Sequence, residues 1–474
     1  MKSSPISGIA DGRRLPRRQF LLRSLGASLA ATSWFAPQLD AQQATAVKPN
    51  IIFIMADDLG YGDIGCYGQT KFTTPHIDRL AEEGTRFTNA YAGSTVCSPS
   101  RCALMTGFHT GHCSYRGNVS GEPGIPDSDV TIAEVLKAAG YRTGMFGKWG
   151  LGTVGRDGYP TRQGFDRWYG YLSQGQAHTY HPHHLMDDDV AVSIPQNIVY
   201  GDKQQTGYAP DLIMAKAQEW LKQQTPGHPF FLYIPSTLPH ANNEMGRDTG
   251  DGMEAPSEHP YKDKDWPAPM RGFAGMMHHL DRQVGAIMDQ LRSQQLDRNT
   301  LVIFTSDNGP HKEGGYDPEF FNSNGPFRGI KRDLTEGGIR VPFIAWMPGR
   351  VPAGKVSDQP FAFWDMLPTF AAMAGAETPN RVDGVSMEDV LMGRPGRQHP
   401  PFYWEFHERE FSQAIRDGKW KAIRKGKRGT TQLYDLSNDP GEERNLAAQH
   451  PEIVQRMEEL FQSMRTESVM FPVK

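Results

Sequence analysis

Pro49-Asn50-Ile51-Ile52-Phe53-Ile54-Met55-Ala56-Asp57-Asp58 is an apolar run that stops abruptly on two adjacent carboxylates. A strand with one wet face alternates apolar and polar residues, whereas one buried on both faces has no polar side to show. The unbroken run therefore predicts a central strand of a parallel sheet covered on both sides. Thr300-Leu301-Val302-Ile303-Phe304-Thr305 repeats the pattern and ends in Ser306-Asp307-Asn308-Gly309. Ligands of open α/β sheets gather outside the carboxyl ends of the strands. Oxygens from Asp57, Asp58, Asp307 and Asn308 can thus converge on a hard divalent cation, and without one the clustered carboxylates would repel. The bland alternative is that these residues are ordinary turn formers.

Working outward, short apolar strands alternate with amphipathic helices, the α/β signature. Thr74-Pro75 opens a helix closed by Gly84, with Thr74 as N-cap. Arg86 to Tyr91 reads as a strand, Thr131 to Ala139 as a helix and Arg142 to Phe146 as a strand leading into Gly147-Lys148-Trp149-Gly150. Pro210 to Gln224 is a helix, Pro229 to Ile234 a buried strand, and Met270 to Leu296 the longest helix. Its methionine-rich stripe is core packing. Val341 to Trp346 reads as a strand and Phe361 to Ala374 as a helix. Beyond Thr378 the texture changes: Phe411 to Ile415 and Lys419 to Arg424 flank the turn signal Asp417-Gly418, Gln432 to Leu436 follows, and Pro451 to Met464 is a terminal amphipathic helix. The expected fold is a large, mixed, mostly parallel sheet sandwiched by helices over residues 48–380, then a smaller antiparallel sheet with a helix over 381–474.

The 474 residues carry a formal charge of −4, so no electrostatic footprint points to nucleic acid. Residues 1–41 read as a leader. Arg17-Arg18-Gln19-Phe20-Leu21-Leu22 is a twin-arginine signature, a weakly apolar run follows through Ala36, and a cleavage site follows Leu39-Asp40-Ala41. Arg23, Gly26 and several Ser and Thr interrupt a run already short for a span, favouring export over a stable membrane anchor. The expectation is a bacterial protein carried folded by the twin-arginine translocase to the periplasm or beyond. Cysteines stand at 66, 97, 102 and 113; a Cys102–Cys113 disulfide is one option.

Thr95-Val96-Cys97-Ser98-Pro99-Ser100-Arg101, followed by Thr106-Gly107, resembles the formylglycine signature of type I sulfatases, of the alkaline-phosphatase-like superfamily. A structural thiol at a loop-to-helix junction is the competing reading. The resemblance runs from Asn50 to about residue 465, with the signature, Asp57-Asp58, Lys148, Asp307-Asn308 and Lys331 in family order. It implies that a formylglycine-generating enzyme oxidises Cys97 to 3-oxoalanine, whose hydrate is the nucleophile. It also implies that Asp57, Asp58, Asp307 and Asn308, with residue 97, hold Ca2+ or sometimes Mg2+. Arg101 would orient the gem-diol, Lys148 and Lys331 would hold the sulfate oxygens, and His240, in Leu238-Pro239-His240, would serve the leaving oxygen. The chain departs from the family at Gly150, where many members carry a histidine that acts as base. His109, His112 and His178 are candidates to replace it, with His178 preferred.

The implied activity is hydrolysis of a sulfate monoester, an aryl sulfate or a sulfated carbohydrate. Gly170 to Pro182 and His183-His184 read as insertions over the pocket mouth, and Trp168, Tyr169, Tyr180 and Trp266 as sugar-stacking or core aromatics. Rival readings are a phosphatase or phosphonate monoester hydrolase of the same superfamily, an inactive carbohydrate-binding relic, and a cysteine hydrolase using Cys97 with a histidine.

Overall fold

The computed structural model describes residues 47–119, 124–198, 205–256 and 259–473; the expected leader lies outside them. A ten-stranded sheet runs through the main body. Across it, in order, lie Lys355–Ser357, Thr85–Phe87, Phe343–Trp346, Thr300–Ser306, Asn50–Ala56, Phe230–Pro235, Arg142–Lys148, Arg167–Tyr171, His184–Asp187 and Val190–Ser193. The five strands from Thr300–Ser306 to Arg167–Tyr171 are mutually parallel. Phe343–Trp346 and the hairpin at the far edge pair antiparallel.

Alternation explains why the central strands are apolar throughout. Ile51, Phe53 and Met55 enter one core, with Leu301, Ile303, Phe231 and Tyr233. Ile52, Ile54 and Ala56 enter the other, with Val302, Phe304, Phe230 and Leu232. Helices Cys97–Thr106, Ile132–Ala138 and Met366–Ala374 cover the first face; Pro75–Glu82, Ala209–Lys222 and Ala268–Ser293 cover the second. Burying each large side chain is worth roughly 1.5–3 kcal/mol, so a two-sided strand contributes about twice what a surface strand does.

The C-terminal sheet orders Phe402–Phe406, Ser412–Asp417, Trp420–Lys425 and Gln432–Asp435 antiparallel. Helix Pro451–Ser463 lays Met457 and Phe461 on its Tyr403, Ile415 and Leu433. Gly418 takes the positive φ (+59°) that the hairpin turn needs. Buried ion pairs fasten this sheet to the body. Lys421 lies between Glu336 (2.8 Å) and Glu442 (3.0 Å), and Glu405 accepts from Arg116 (2.7 Å).

Four local expectations are revised. Arg86 to Tyr91 splits into Thr85–Phe87 in the main sheet and Ala90–Tyr91 paired with Phe361–Ala362, because Thr88 and Asn89 turn their polar groups to Ser357 and Asp358. The helix expected from Phe361 starts at Met366, after a 3-10 turn (Phe363–Asp365) pinned by Asp365 accepting from the Ala362 and Val385 amides. Thr74 stands at the N-cap position as expected, but its side chain does not cap: the hydroxyl accepts from Gly65 and donates to Asp78. The first-turn amides of His76 and Ile77 donate instead to Asp281 on the long helix. Gly170-Tyr171 is sheet rather than an insertion, and Trp168, Tyr169 and Tyr180 are buried core residues. Trp266 is half-buried against Tyr261, Phe320 and Phe321. All four cysteines are free thiols, so Cys102 and Cys113 are not bridged.

Candidate active site

The central strands end together, and their acidic tips meet. Asp58, held at a positive φ of +63°, donates its backbone N–H to Asp307 Oδ1 (3.0 Å), and its own Oδ1 accepts from Asn308 Nδ2 (2.7 Å). Asp57, Asp58, Asp307 and Asn308 are completely buried. Charge of this density needs cations. Lys148, the last residue of its strand, reaches Asp57 Oδ2 at 2.7 Å, and Lys331 reaches Asp58 Oδ2 at 2.7 Å. Arg101 projects from the helix Cys97–Thr106, its Nε and Nη2 donating to Asp307 Oδ2 (3.1 and 2.7 Å) and its Nη1 to the Lys148 carbonyl (2.8 Å). That fork needs a planar guanidinium.

Electrostatics divides the acids. Burial alone would raise Asp57, but Lys148, with Arg101, outweighs it and holds the carboxyl far below its usual range. Asp58 is likewise held down against burial, chiefly by Lys331. Asp307 goes the other way: burial and the Asp57 charge push it up to about 7. The resident cations thus leave one carboxyl short of compensation. Asn308 Oδ1 is buried with no hydrogen-bond partner, an orphan of the kind that marks a missing ligand. Ligand atoms of Asp57, Asp58, Cys97 and His240 lie within 4.8 Å of one another. The Asp57 and Asp58 carboxylates and the unpaired Asn308 Oδ1 are the donors that fit an oxygen-preferring cation.

Cys97 sits at the start of its helix, 2 % exposed, with Sγ 3.4 Å from Asp57 Oδ1. Burial and Asp57 push the thiol well above its ordinary pKa. An unmodified Cys97 is therefore a poor thiolate nucleophile, which argues against the cysteine-hydrolase reading.

Residues 49–376 match the family model described as Sulfatase, and residues 329–467 match that described as N-sulphoglucosamine sulphohydrolase, C-terminal. The chain belongs to the sulfatase family. It is 36 % identical to human arylsulfatase A, across 89 % of each chain. It is 32 % identical to the N-acetylgalactosamine-6-O-sulfatase of Bacteroides thetaiotaomicron, across 88 % of this chain and 93 % of the other. The crystal structure of Ps i-CgsB in complex with k-i-k-neocarrahexaose superposes with a TM-score of 0.75 at 30 % identity, covering 88 % of this chain and 94 % of that one. As a member of the family the protein is a sulfuric ester hydrolase, and the family implies a metal ion and a formylglycine.

The remaining polar groups of this sulfatase are arranged around Lys331. His240 turns Nδ1 to the Ala241 carbonyl (2.7 Å), so that nitrogen donates and Nε2 is left to accept from Lys331 (3.3 Å). Burial and Lys331 push the His240 ring down to about 3, fixing the neutral form. Two residues absent from the sequence-based set complete the group. Glu313 accepts from Lys331 (3.0 Å) and Arg332 (2.6 Å), and His311 accepts the Glu313 amide (3.1 Å). Both stand only a few residues beyond Asp307-Asn308-Gly309, a signal the sequence offered.

The three candidate histidines separate. His178 stacks on His240 (ring centroids 5.2 Å, interplanar 12°) and pairs through Nδ1 with Glu244 (3.0 Å). His109 and His112 turn to Asp383 instead, away from the acidic strand ends. Beside residue 97, a Cβ on Gly150 would collide with the Gln174 amide, and φ is +72° there. Gln174 Nε2 donates to Ser98 Oγ (2.8 Å), which donates to the Gly150 carbonyl (3.1 Å). A glutamine that no motif singles out therefore fills the space of a side chain at 150.

Proposed function

We propose that this sulfatase removes sulfate from a sulfated carbohydrate, using a formylglycine made from Cys97 by a formylglycine-generating enzyme. The observation that carries the reading is the buried oxygen cluster of Asp57, Asp58, Asp307 and Asn308, with its orphaned Asn308 Oδ1, against residue 97. Those four residues and residue 97 would hold Ca2+, with Mg2+ as the alternative, because every side-chain donor but residue 97 is a hard oxygen. When bound, the ion supplies positive charge for the sulfate oxygens and acidifies an adjacent hydroxyl. The hydrated aldehyde at position 97 supplies the attacking oxygen.

The chain's own residues do the rest. Arg101 fixes Asp307 and the end of the Lys148 strand, so the attacking position is set before substrate arrives. Lys148 and Lys331 present buried ammonium groups to the equatorial sulfate oxygens, where a low local dielectric makes each worth more than in water. The leaving oxygen takes its proton from the Lys331–His240 pair, whose shared hydrogen bond spans 3.3 Å. Glu313 keeps that lysine oriented. His178, with Nδ1 committed to Glu244, offers Nε2 as the base that replaces a histidine at 150. The relatives named for N-acetylgalactosamine-6-sulfate favour a hexosamine sulfate within an oligosaccharide. The leader motif adds export by the twin-arginine translocase to the periplasm or beyond, and among the described residues no helix is long and apolar enough to cross a membrane.

Tryptic mass spectrometry of the residue-97 peptide should find the aldehyde mass, about 18 Da below the thiol, since sulfur gives way to oxygen and two hydrogens are lost. Turnover of 4-nitrophenyl sulfate should exceed that of 4-nitrophenyl phosphate, and Cys97→Ser should abolish multiple turnover. An unmodified cysteine in fully active enzyme, or faster phosphate hydrolysis, would sink the proposal. His178→Ala with undiminished turnover would remove that residue alone.

A further inference from the structure

Lys331 and Arg332 are consecutive, yet their side chains serve different spaces. Arg332 has a positive φ of +77°. Lys331 reaches Asp58 in the acidic site, while the Arg332 guanidinium pairs with Glu313 (2.6 Å) and Glu408 (3.2 Å). Arg332 also lines a cleft of about 600 Å³ between the loop 328–335 and the C-terminal sheet. That volume lies in the range of small-ligand pockets. Three more cations line it from three separate segments: Arg328 on the loop, Arg409 between the first two strands of the small sheet, and Lys425 at the end of the third.

All three are exposed, and among the described residues none has a carboxylate within ion-pair distance. Among the described residues, Asp333 and Glu410 are the acids that line it. The turn that follows Lys425 adds exposed Lys427 and Arg428. A single exposed lysine is ordinary solvated surface. Cations converging from three segments on one concavity concentrate the field there and raise the local concentration of an anion. Phe406 and Ile423, both buried in the core, form the floor of the cleft, so its exposed lining is polar and charged.

We propose that this cleft is a second anion subsite, binding the carboxylated or sulfated sugar that adjoins the reacting residue of an oligosaccharide. The inference rests on the sulfatase reading, since the ester must sit at Lys331 for the next sugar to pass Arg332. It makes the enzyme a reader of charged chains rather than of isolated sulfate esters.

The test uses the intact, modified protein and its Arg409→Ser/Lys425→Ser variant, neither position belonging to the acidic site. A chondroitin 6-sulfate hexasaccharide and inorganic sulfate are titrated calorimetrically, and 4-nitrophenyl sulfate turnover is measured alongside. The variant should bind the hexasaccharide about tenfold more weakly, the loss of two partly screened ion pairs. Its inorganic sulfate affinity, aryl sulfate kcat/KM and urea midpoint should stay unchanged. The charge-preserving Arg409→Lys/Lys425→Arg variant should bind like the parent. Equal hexasaccharide affinity in parent and Ser variant, or none in the parent, overturns the subsite. Selective loss of hexasaccharide binding in a protein that does not turn over the aryl sulfate would keep the subsite and refute the hydrolytic reading instead.

Discussion

Replacing Lys421 by Met should cost about 3–5 kcal/mol, although the change keeps the side chain's length and touches no residue of the acidic site. The ammonium is fully buried, 2.8 Å from Glu336 Oε1 and 3.0 Å from Glu442 Oε1. Glu336 keeps Arg340 (3.0 Å) and the Tyr91 hydroxyl (2.6 Å) when the lysine is gone. Among the described residues Glu442 keeps only the Glu336 amide (2.7 Å) as a hydrogen-bond donor. Burial, with Glu336 beside it, already raises Glu442 against the opposing pull of Lys421. Removing the lysine leaves burial and Glu336 to raise it further, and neutralising a carboxyl with an ordinary value of 4.5 at pH 7 costs about 3 kcal/mol. Urea unfolding followed by tryptophan fluorescence measures this directly. The sign with pH is fixed: a carboxyl raised in the fold destabilises above its unfolded value, so the deficit should shrink as pH falls from 7 to 5. Adding Glu442→Gln should recover part of the loss. A deficit below about 1 kcal/mol at pH 7, or one that ignores pH, would refute the reasoning.

Other outcomes follow from the same geometry. Chelation should abolish aryl sulfate turnover, and restoring Ca2+ to about a hundred times its Kd should raise stability by roughly 2.7 kcal/mol; Asn308→Ala should blunt both responses in thermal melts. Gly150→Ala should lose about 1–2 kcal/mol to its left-handed backbone and displace Gln174 from Ser98, so a melting temperature equal to the parent's would contradict the crowding at that position. Glu405, buried, is held at about 2 against burial by His407, Arg116, Tyr403 and Arg465. Its stabilisation, about 3 kcal/mol, should be complete above pH 4.5 and fade toward pH 2; Glu405→Gln should flatten that acid limb in a stability–pH profile.

The central strands could be read from the sequence because two-sided burial leaves a one-dimensional trace, an apolar run with no alternation. The acidic tips could be read for a related reason: Asp57-Asp58 and Asp307-Asn308 directly follow such runs, and the parallel topology brings strand ends together. What escaped depends on contacts between distant segments. Thr74 holds the N-cap position, but it is Asp281, some two hundred positions away, that takes the helix amides. Gln174 carries no motif, and only the packing at Gly150 gives it a place. For Trp168, Tyr169 and Tyr180 the sequence left sugar stacking and core packing both open, and their burial decides for the core.

The depth of Cys97 also orders events in time. With its thiol sealed under the finished sheet, a second protein can no longer grip the peptide around it. Any oxidising enzyme must therefore work on the nascent or still-open chain, and a molecule that closes too early is locked as an inert thiol for the life of the fold.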